Sequence, residues 1–361
     1  MSPAVRRRPF GRPAALALAA VLACMGCGTP SPSRARVPEF SGPTMGTVYK
    51  VKVVLPEPAT ADPATLQGLI TAQLDQVNAL MSTFQADSEL SRFNAHASTS
   101  PFPLSASTFE VFQLALGISE ETGGVFDITV GPLVNAWGFG PDSIPSSPLS
   151  DTEVAALLSH TGYGKLTLDS DNLTVSKAEP ELYCDLSAIA KGYAVDRIGL
   201  ALENVGFFDY MAEVGGEVRT RGLNAEGQPW KIGIVCPDPA QGGLEQIVPL
   251  SGWSLATSGD YRNFYEHDGV RYSHTIDPRT GRPITHNLAS VSVIHKECAL
   301  ADGYATALMV MGPEDALRWC EEHDVNAFLI VREAEGHFRN LASPAFEQFL
   351  AAANPASQER R

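Results

Sequence analysis

Four strand-like segments follow one another between residues 210 and 259, and no helical pattern separates them. They are rich in β-branched and aromatic side chains, which is typical of strands. Helical periodicity lies elsewhere, most clearly at 62–84, 107–124, 187–206 and 299–312. A chain whose strands cluster in this way lacks the regular β–α alternation of a doubly wound parallel sheet. The pattern therefore predicts an α+β fold with an antiparallel sheet.

The charge of the chain argues against nucleic acid as a partner. Its 361 residues include 26 lysines and arginines against 41 acids, which gives a net charge of −15 at pH 7. Nucleic-acid binding requires a basic surface, and this balance does not supply one. The sequence also lacks a Gly-x-Gly-x-x-Gly loop after a strand and a P-loop. A phosphorylated ligand would therefore need metal ions and a few local cations to offset the repulsion.

The first 23 residues are organised like a secretory signal. A basic segment without acids precedes the apolar run AALALAAVLA, which is too short for a permanent membrane helix. The run ends in VLAC, which resembles the lipobox of bacterial lipoproteins and makes Cys24 the predicted lipidated residue. Cys27 is a weaker candidate, and an ordinary cleaved signal is the alternative. Residues 24–43 include a segment rich in Pro and Ser and are predicted to be a flexible tether.

Two oxygen-bearing side chains lie one turn apart on the predicted helix 299–312. Asp302 and Thr306 are four residues apart, so they share one face of that helix. Carboxylate and hydroxyl oxygens are hard donors of the kind that Mg²⁺ and Ca²⁺ select. The pair is a candidate metal site. The alternative is that Asp302 caps the helix and Thr306 packs beside it.

Four further residues have chemistry suited to a ligand. Lys191 lies at the start of a predicted helix, where it would neutralise a phosphate, and Asp127 would accept a hydrogen bond from a ring amide. Phe84 would stack on a planar ring, and His274, beside a Pro/Gly loop, would carry a proton near neutral pH. Each has a structural alternative: a solvated lysine, a capping aspartate, a core phenylalanine and a histidine in a surface turn.

Eight segments of the chain carry a family resemblance; in chain order they are 44–47, 82–94, 123–141, 185–196, 212–222, 254–265, 273–284 and 301–312. Together they resemble the ApbE family of FAD:protein FMN transferases, whose members are often lipoproteins of the bacterial periplasm. The resemblance extends from about residue 44 to the C-terminus. It implies a T-fold-like arrangement of antiparallel sheet and helices, with two intimately packed lobes in one catalytic unit at 44–354 and a tail at 355–361.

The resemblance implies roles for particular residues. Magnesium would be held by the side chains of Asp302 and Thr306 and by the main-chain carbonyl of Ala188. His274 would activate the hydroxyl of the acceptor. The residues implied to bind FAD are Met45, Thr83, Phe84, Gln85, Asp127, Lys191 and Ile276.

Two positions depart from the family pattern. Many transferases of the family have tyrosine where this chain has Phe84, and members with a non-aromatic residue there favour FAD hydrolysis. Phenylalanine keeps the stacking face but lacks the hydroxyl, so transfer remains the favoured activity. Ala305 replaces an aspartate found in some members, which weakens the case for a second metal site.

The implied reaction is Mg²⁺-dependent transfer of FMN from FAD to a threonine or serine hydroxyl of another protein, with AMP as the leaving group. The implied acceptors are subunits of membrane redox complexes, such as sodium-pumping NADH:quinone reductase. A lipid anchor would hold the exported protein at the periplasmic face of the inner membrane. Two alternatives are a Mg²⁺-dependent FAD diphosphatase that yields FMN and AMP, and a lipoprotein that binds flavin without catalysis.

Overall fold

The computed structural model describes residues 36–56, 62–140, 147–238, 242–260, 264–268 and 270–353. These described residues belong to one compact unit. The predicted signal peptide, the predicted lipidation site Cys24 and the predicted tail 355–361 lie outside the described residues. Within the described parts of the chain, no helix is both long and apolar enough to cross a membrane.

The described segments form strands and helices in an irregular order. The strands are β1 (Glu39–Thr44), β2 (Thr47–Val53), β3 (Phe102–Pro103), β4 (Leu166–Asp169), β5 (Thr174–Lys177), β6 (Tyr210–Val214), β7 (Glu217–Arg221), β8 (Trp230–Val235), β9 (Leu244–Leu250), β10 (Ser254–Gly259), β11 (Phe264–His267), β12 (Val270–Ser273), β13 (Ile276–Asp277), β14 (Arg282–Pro283), β15 (Leu288–His295), β16 (Asn326–Arg332) and β17 (Phe338–Ala342). The α-helices are α1 (Pro63–Met81), α2 (Glu89–Ala95), α3 (Ala106–Glu121), α4 (Gly131–Ala136), α5 (Asp151–Leu158), α6 (Ala190–Asn204), α7 (Cys298–Met311), α8 (Pro313–His323) and α9 (Pro344–Ala353).

One eight-stranded sheet organises the fold. Its strand order is β1-β2-β6-β7-β10-β15-β16-β17, and every neighbouring pair is antiparallel. The strands predicted in succession pair as antiparallel neighbours or, in β8 and β9, as a separate hairpin. The predicted α+β class is therefore confirmed.

Both faces of the sheet are covered, which explains why its central strands are so apolar. Along β16, Leu329 and Val331 pack in a cluster with residues of α7 and α8. The alternate residues Phe328 and Ile330 pack with the β8–β9 hairpin and with Phe346 of α9. Successive side chains of a strand point to opposite faces, so one strand serves both layers.

Helix α1 forms as its periodicity predicts. Asp62 is the N-cap and Pro63 occupies the first turn, where its missing N–H costs no intrahelical hydrogen bond. The helix buries one apolar face, each side chain contributing about 1.5–3 kcal/mol relative to exposure. The buried residues are Leu66, Ile70, Leu74, Val77 and Met81.

The folded part of the chain begins before residue 44, where the predicted catalytic domain starts. Strand β1 begins at Glu39, inside the predicted tether, and pairs with β2 along its whole length. Phe40 is buried in the main core, and this burial anchors the strand. Pro43 lies in β1 without breaking it, because β1 is an edge strand and tolerates the loss of a backbone donor.

Helices α6 and α7 cross in close contact at Gly192. A Cβ atom at this position would lie 2.3 Å from the carbonyl oxygen of Cys298 and 2.8 Å from the Cα of Ala299. Both are backbone atoms, which cannot move aside as a flexible side chain does. The absence of a side chain at Gly192 therefore lets the start of α6 approach the start of α7.

We expect Gly192→Ala to destabilise the protein by about 3 kcal/mol or more, because relief of this overlap requires the two helices to separate. Gly68→Ala is the matched control: Gly68 also lies inside a helix, and a Cβ there would meet no atom within 4 Å. The control should be neutral or up to about 1 kcal/mol more stable, because alanine favours helix. Urea unfolding midpoints measure both changes. Equal midpoints for the two variants would disprove the close-contact explanation.

Candidate active site

A cleft of about 710 Å³ lies at the helix crossing. It is lined by residues at the starts of α6 and β7, by the end of β10, by α7, by the segment 125–140 and by the segment 274–278. Nine of the eleven predicted catalytic, FAD-binding and metal-binding residues line it: Thr83, Phe84, Asp127, Ala188, Lys191, His274, Ile276, Asp302 and Thr306. Residues separated by more than 200 positions in the chain therefore share one site.

The Asp302 carboxylate is at the buried end of this site, with only 2% of the residue exposed. Its Oδ2 accepts a hydrogen bond of 2.9 Å from the backbone N–H of Gly192, and its Oδ1 lies 3.3 Å from Lys191 Nζ. Burial raises the pKa of Asp302 to about 7, although the Lys191 ammonium opposes the shift. Asp302 is thus tied to α6 and does not simply cap its own helix.

Lys191 connects two acids that are far apart in sequence. Its ammonium donates to Glu217 Oε1 at 3.1 Å and lies 3.3 Å from Asp302 Oδ1. Burial lowers the pKa of Lys191, but the two carboxylates outweigh this effect and hold it above its ordinary value. The lysine therefore keeps its positive charge inside the cleft, as a residue that binds a phosphate must.

The donors around Asp302 fit a hard cation. Thr306 lies one turn further along α7, and its hydroxyl is 3.1 Å from the hydroxyl of Ser258 on β10. Ala188 and Glu217 line the same cleft. Oε2 of Glu217 is buried and has no hydrogen-bond partner among the described residues. Carboxylate, hydroxyl and carbonyl oxygens together are the donor set that Mg²⁺ prefers.

Asp127 is 8% exposed and already has several protein partners. Its Oδ1 accepts hydrogen bonds of 2.7 Å from both the backbone N–H and the hydroxyl of Thr129, and its Oδ2 accepts one of 2.8 Å from the N–H of Tyr163. Burial raises the pKa of Asp127, and these hydrogen bonds oppose the rise. The carboxylate stabilises its own loop as the structural alternative predicted, and it also lines the cleft.

A stack of aromatic rings begins at one wall of the site, where Phe139 and Tyr265 line the cleft. Phe139 stacks on Tyr265 with centroids 5.4 Å apart, and Tyr265 stacks on Tyr272 at 5.1 Å. The imidazole of His274 meets Phe139 edge-on at 6.3 Å. Trp137 closes the far end of the stack and donates a hydrogen bond to the carbonyl of Gly281 in the Pro/Gly loop. These contacts hold His274 in a packed segment of the cleft wall.

Three of the predicted FAD-binding residues are either highly exposed or outside the cleft lining. Phe84 lines the cleft with 74% of the residue exposed, so its ring is open to solvent rather than part of the core. Gln85 follows it in an exposed loop and is not among the cleft-lining residues. Met45 lies in the β1–β2 turn with φ of 48° and is also not among them. Direct FAD contacts for Met45 and Gln85 stay predictions.

Sequence reasoning did not assign Glu217 or Ser258 to the site. Both belong to segments that carried the family resemblance, but no local pattern distinguishes them from ordinary strand residues. The one available signal for Glu217 was an acid directly after two glycines, Gly215 and Gly216, at a strand start. Gly215 has φ of 67° and Gly216 has φ of 114°, which are values that favour glycine.

A second group of possible metal ligands lies outside this cleft. Donor atoms of His160, Glu179 and Glu181 are within 4.8 Å of one another. Glu179 already pairs with Lys165 at 2.6 Å and with His160 at 2.9 Å. None of the three is a predicted magnesium ligand, and none lines the cleft.

The fold and the cleft define a class: an α+β protein whose antiparallel sheet carries a polar ligand site at a helix crossing. Known proteins with this arrangement identify it further. A profile of the ApbE family matches residues 45–329. The FAD:protein FMN transferase of Vibrio cholerae serotype O1 is 46% identical over 335 residues, which cover 93% of this chain and 98% of that protein.

Solved structures agree with this match. The flavin transferase ApbE from Vibrio cholerae superimposes with a TM-score of 0.81 at 46% identity, covering 88% of this chain and 100% of that one. The apo form of the flavinyl transferase ApbE from Pseudomonas stutzeri gives a TM-score of 0.81 at 39% identity, covering 88% and 97%. The chain belongs to the ApbE family.

Proposed function

We propose that this chain is an FAD:protein FMN transferase that moves FMN from FAD to a hydroxyl group of an acceptor protein. Its similarity to a transferase of that name over 93% of the chain supports this activity. The observation that carries the proposal is the single cleft, which gathers nine of the eleven residues predicted to bind FAD, hold the cation or move the proton.

The reaction breaks the phosphoanhydride linkage of FAD and forms a phosphoester with the acceptor. The acceptor oxygen forms a bond to the FMN-side phosphorus, the bond from that phosphorus to the bridging oxygen breaks, and AMP leaves with the electron pair. Such a displacement requires an in-line nucleophile and neutralised phosphate oxygens more than covalent help from the protein. The substrate proton must pass to a base in the site.

Because the chain as a whole is acidic, the negative charge of a diphosphate must be offset by positive groups inside the cleft. Asp302, Thr306 and the carbonyl of Ala188 would hold Mg²⁺, which when bound supplies Lewis-acid neutralisation of the diphosphate oxygens. The charged Lys191 ammonium would add a second positive centre at the start of α6. Both lie in the same cleft, so the negative charge of the rest of the chain does not exclude FAD.

His274 is the proposed general base. Imidazole accepts a proton near neutral pH, and the packed edge contact with Phe139 limits where the ring can point. Asp127 and Ile276 would line the flavin part of the substrate, and Phe84 would cover its ring.

The exposure of Phe84 supports hydrolysis of FAD as a second candidate function. With 74% of this residue exposed and no hydroxyl on its ring, water can reach the cleft beside it. Attack by water in place of the acceptor hydroxyl would make the protein an FAD diphosphatase that releases FMN and AMP. A flavin-binding protein without catalysis would leave FAD intact.

The cellular setting is part of the same proposal. A lipid on Cys24 would hold the exported domain at the periplasmic face of the inner membrane. Acceptor subunits of membrane redox complexes, such as sodium-pumping NADH:quinone reductase, would then be neighbours in the same membrane. A single acyl chain binds membranes only marginally, so stable anchoring requires more than one chain.

One incubation distinguishes the three activities. Purified protein is mixed with FAD, Mg²⁺ and a candidate acceptor subunit, and the products are followed by in-gel flavin fluorescence, protein mass and nucleotide chromatography. We expect a fluorescent acceptor band, a mass increase equal to one FMN less one water, and release of AMP. Free FMN without a labelled band would identify a diphosphatase, and unchanged FAD would identify a binding protein.

A further inference from the structure

Among the described residues, Glu217 is the acid of the cleft with a buried carboxylate oxygen that lacks a hydrogen-bond partner. The residue is 3% exposed, its Oε1 accepts from Lys191 Nζ at 3.1 Å, and its buried Oε2 has no partner in the described structure. A buried carboxylate oxygen without a hydrogen bond costs free energy, so its retention requires an explanation.

The backbone places Glu217 in contact with Lys191. The residue is the first of β7, and the preceding Gly215 brings the chain close to both side chains: a Cβ on Gly215 would lie 3.3 Å from Glu217 Oε2 and 3.4 Å from Lys191 Cδ. The unpartnered oxygen is therefore beside the lysine side chain rather than turned into an apolar core.

Lys191 competes with any cation for Asp302. Its ammonium lies 3.3 Å from Oδ1 and 3.4 Å from Oδ2 of that carboxylate, the group expected to ligate magnesium. An ammonium has three N–H donors and needs acceptors for them when it gives up a partner. Oε2 of Glu217 is an acceptor of this kind, already in place and otherwise unused.

We propose that Glu217 is a positioning residue for the cation site: it binds the Lys191 ammonium in place of Asp302, so that the Asp302 carboxylate is available to a divalent cation. The inference rests on the cation site of the proposed function and deepens it. Without the Glu217 charge, Lys191 pairs with Asp302 alone and opposes metal binding. With it, the ammonium stays in the cleft beside the metal, where both positive centres face the diphosphate.

Mn²⁺ binding to the purified protein tests this without any turnover, because the EPR signal of free aquo Mn²⁺ reports the unbound ion. We expect Glu217→Gln, which keeps the side-chain shape, to weaken Mn²⁺ binding at least tenfold. Glu213→Gln on the adjacent strand β6 is the matched control, since it removes the same charge outside the cleft lining. The control should change the affinity by less than about threefold, the size of a screened surface effect.

A double-mutant cycle with Lys191→Met separates positioning from simple loss of negative charge. If Glu217 acts by drawing Lys191 away, Lys191→Met should raise Mn²⁺ affinity at least tenfold in the Glu217→Gln background but no more than threefold in the wild type. Additive effects would overturn the positioning role, as would an unchanged affinity in Glu217→Gln.

The same titration distinguishes failure of this inference from failure of the cation site. If wild type binds Mn²⁺ and Asp302→Asn does not, the site stands, and the Glu217 variants alone decide the inference. If wild type does not bind Mn²⁺, or Asp302→Asn binds it equally well, both the inference and the magnesium part of the proposed function are overturned.

Discussion

Asp302→Asn should transfer FMN at least about 10³-fold more slowly than wild type, because Lewis-acid assistance is worth several kcal/mol and each 1.4 kcal/mol is about tenfold in rate. Asparagine has nearly the same shape and keeps a carbonyl oxygen that can accept from the Gly192 N–H, now 2.9 Å from Oδ2. The substitution therefore removes the charge needed for the cation while the helix crossing is preserved. The measurement is the initial rate of acceptor labelling by flavin fluorescence.

Asp315→Asn on α8 is the control for loss of an aspartate charge. Its carboxylate is exposed and forms a surface salt bridge with Arg318 one turn away, so rate and stability should stay close to wild type. Thermal unfolding of both variants establishes that the folds are intact. A wild-type rate that persists in EDTA, or an Asp302→Asn variant of normal rate, would remove magnesium from the mechanism.

His274→Ala should bind FAD but transfer FMN about 10²–10⁴-fold more slowly than wild type, because a general base usually contributes a factor of this size to the rate. His274 lines the cleft in the segment 274–278, whereas Lys191, Glu217 and Asp302 belong to α6, β7 and α7, so the substitution leaves those three charged side chains in place. FAD affinity is measured by quenching of flavin fluorescence, and the transfer rate by acceptor labelling.

His267→Ala provides the comparison for His274→Ala. His267 ends β11, in the β11–β12 hairpin just before His274, but is not among the cleft-lining residues, so its removal tests for general disturbance of this region. We expect near-normal binding and transfer. Equal rates for His274→Ala and wild type would exclude His274 as the base, and equal losses in both variants would attribute the effect to the hairpin.

Local patterns predicted the longer elements well, whereas short helices such as α2, α4 and α5 were not predicted. The periodicity of 62–84 corresponds to α1 at Pro63–Met81, and the alternation of 47–55 corresponds to β2 at Thr47–Val53. The spacing of apolar residues indicates which side of a helix or strand is buried, and this spacing can be read from a single sequence. The start of the domain was less predictable, because β1 is held by pairing with β2 and by the burial of Phe40, and not by its own composition.

The candidate site likewise has features that local sequence patterns predict and features that they do not. The one-turn spacing of Asp302 and Thr306 is a property of a helix and could be read from the residues alone. The contact between Lys191 and Glu217 spans 26 positions, and that between Lys191 and Asp302 spans 111. No periodicity links residues so far apart, so their meeting could not be inferred from local pattern.

By itself, the sequence determined the longer helices and strands, the α+β class and the set of residue types available for catalysis. It also carried the resemblance that named Lys191 and Asp302. Only the tertiary structure decided that the Lys191 ammonium contacts the carboxylates of both Asp302 and Glu217, because the packing of α6 on α7 at Gly192 and the glycine turn before β7 set those distances. The sequence specifies the chemistry of each side chain. Residues that are distant in sequence come close together only when separate helices and strands bury their apolar faces against one another.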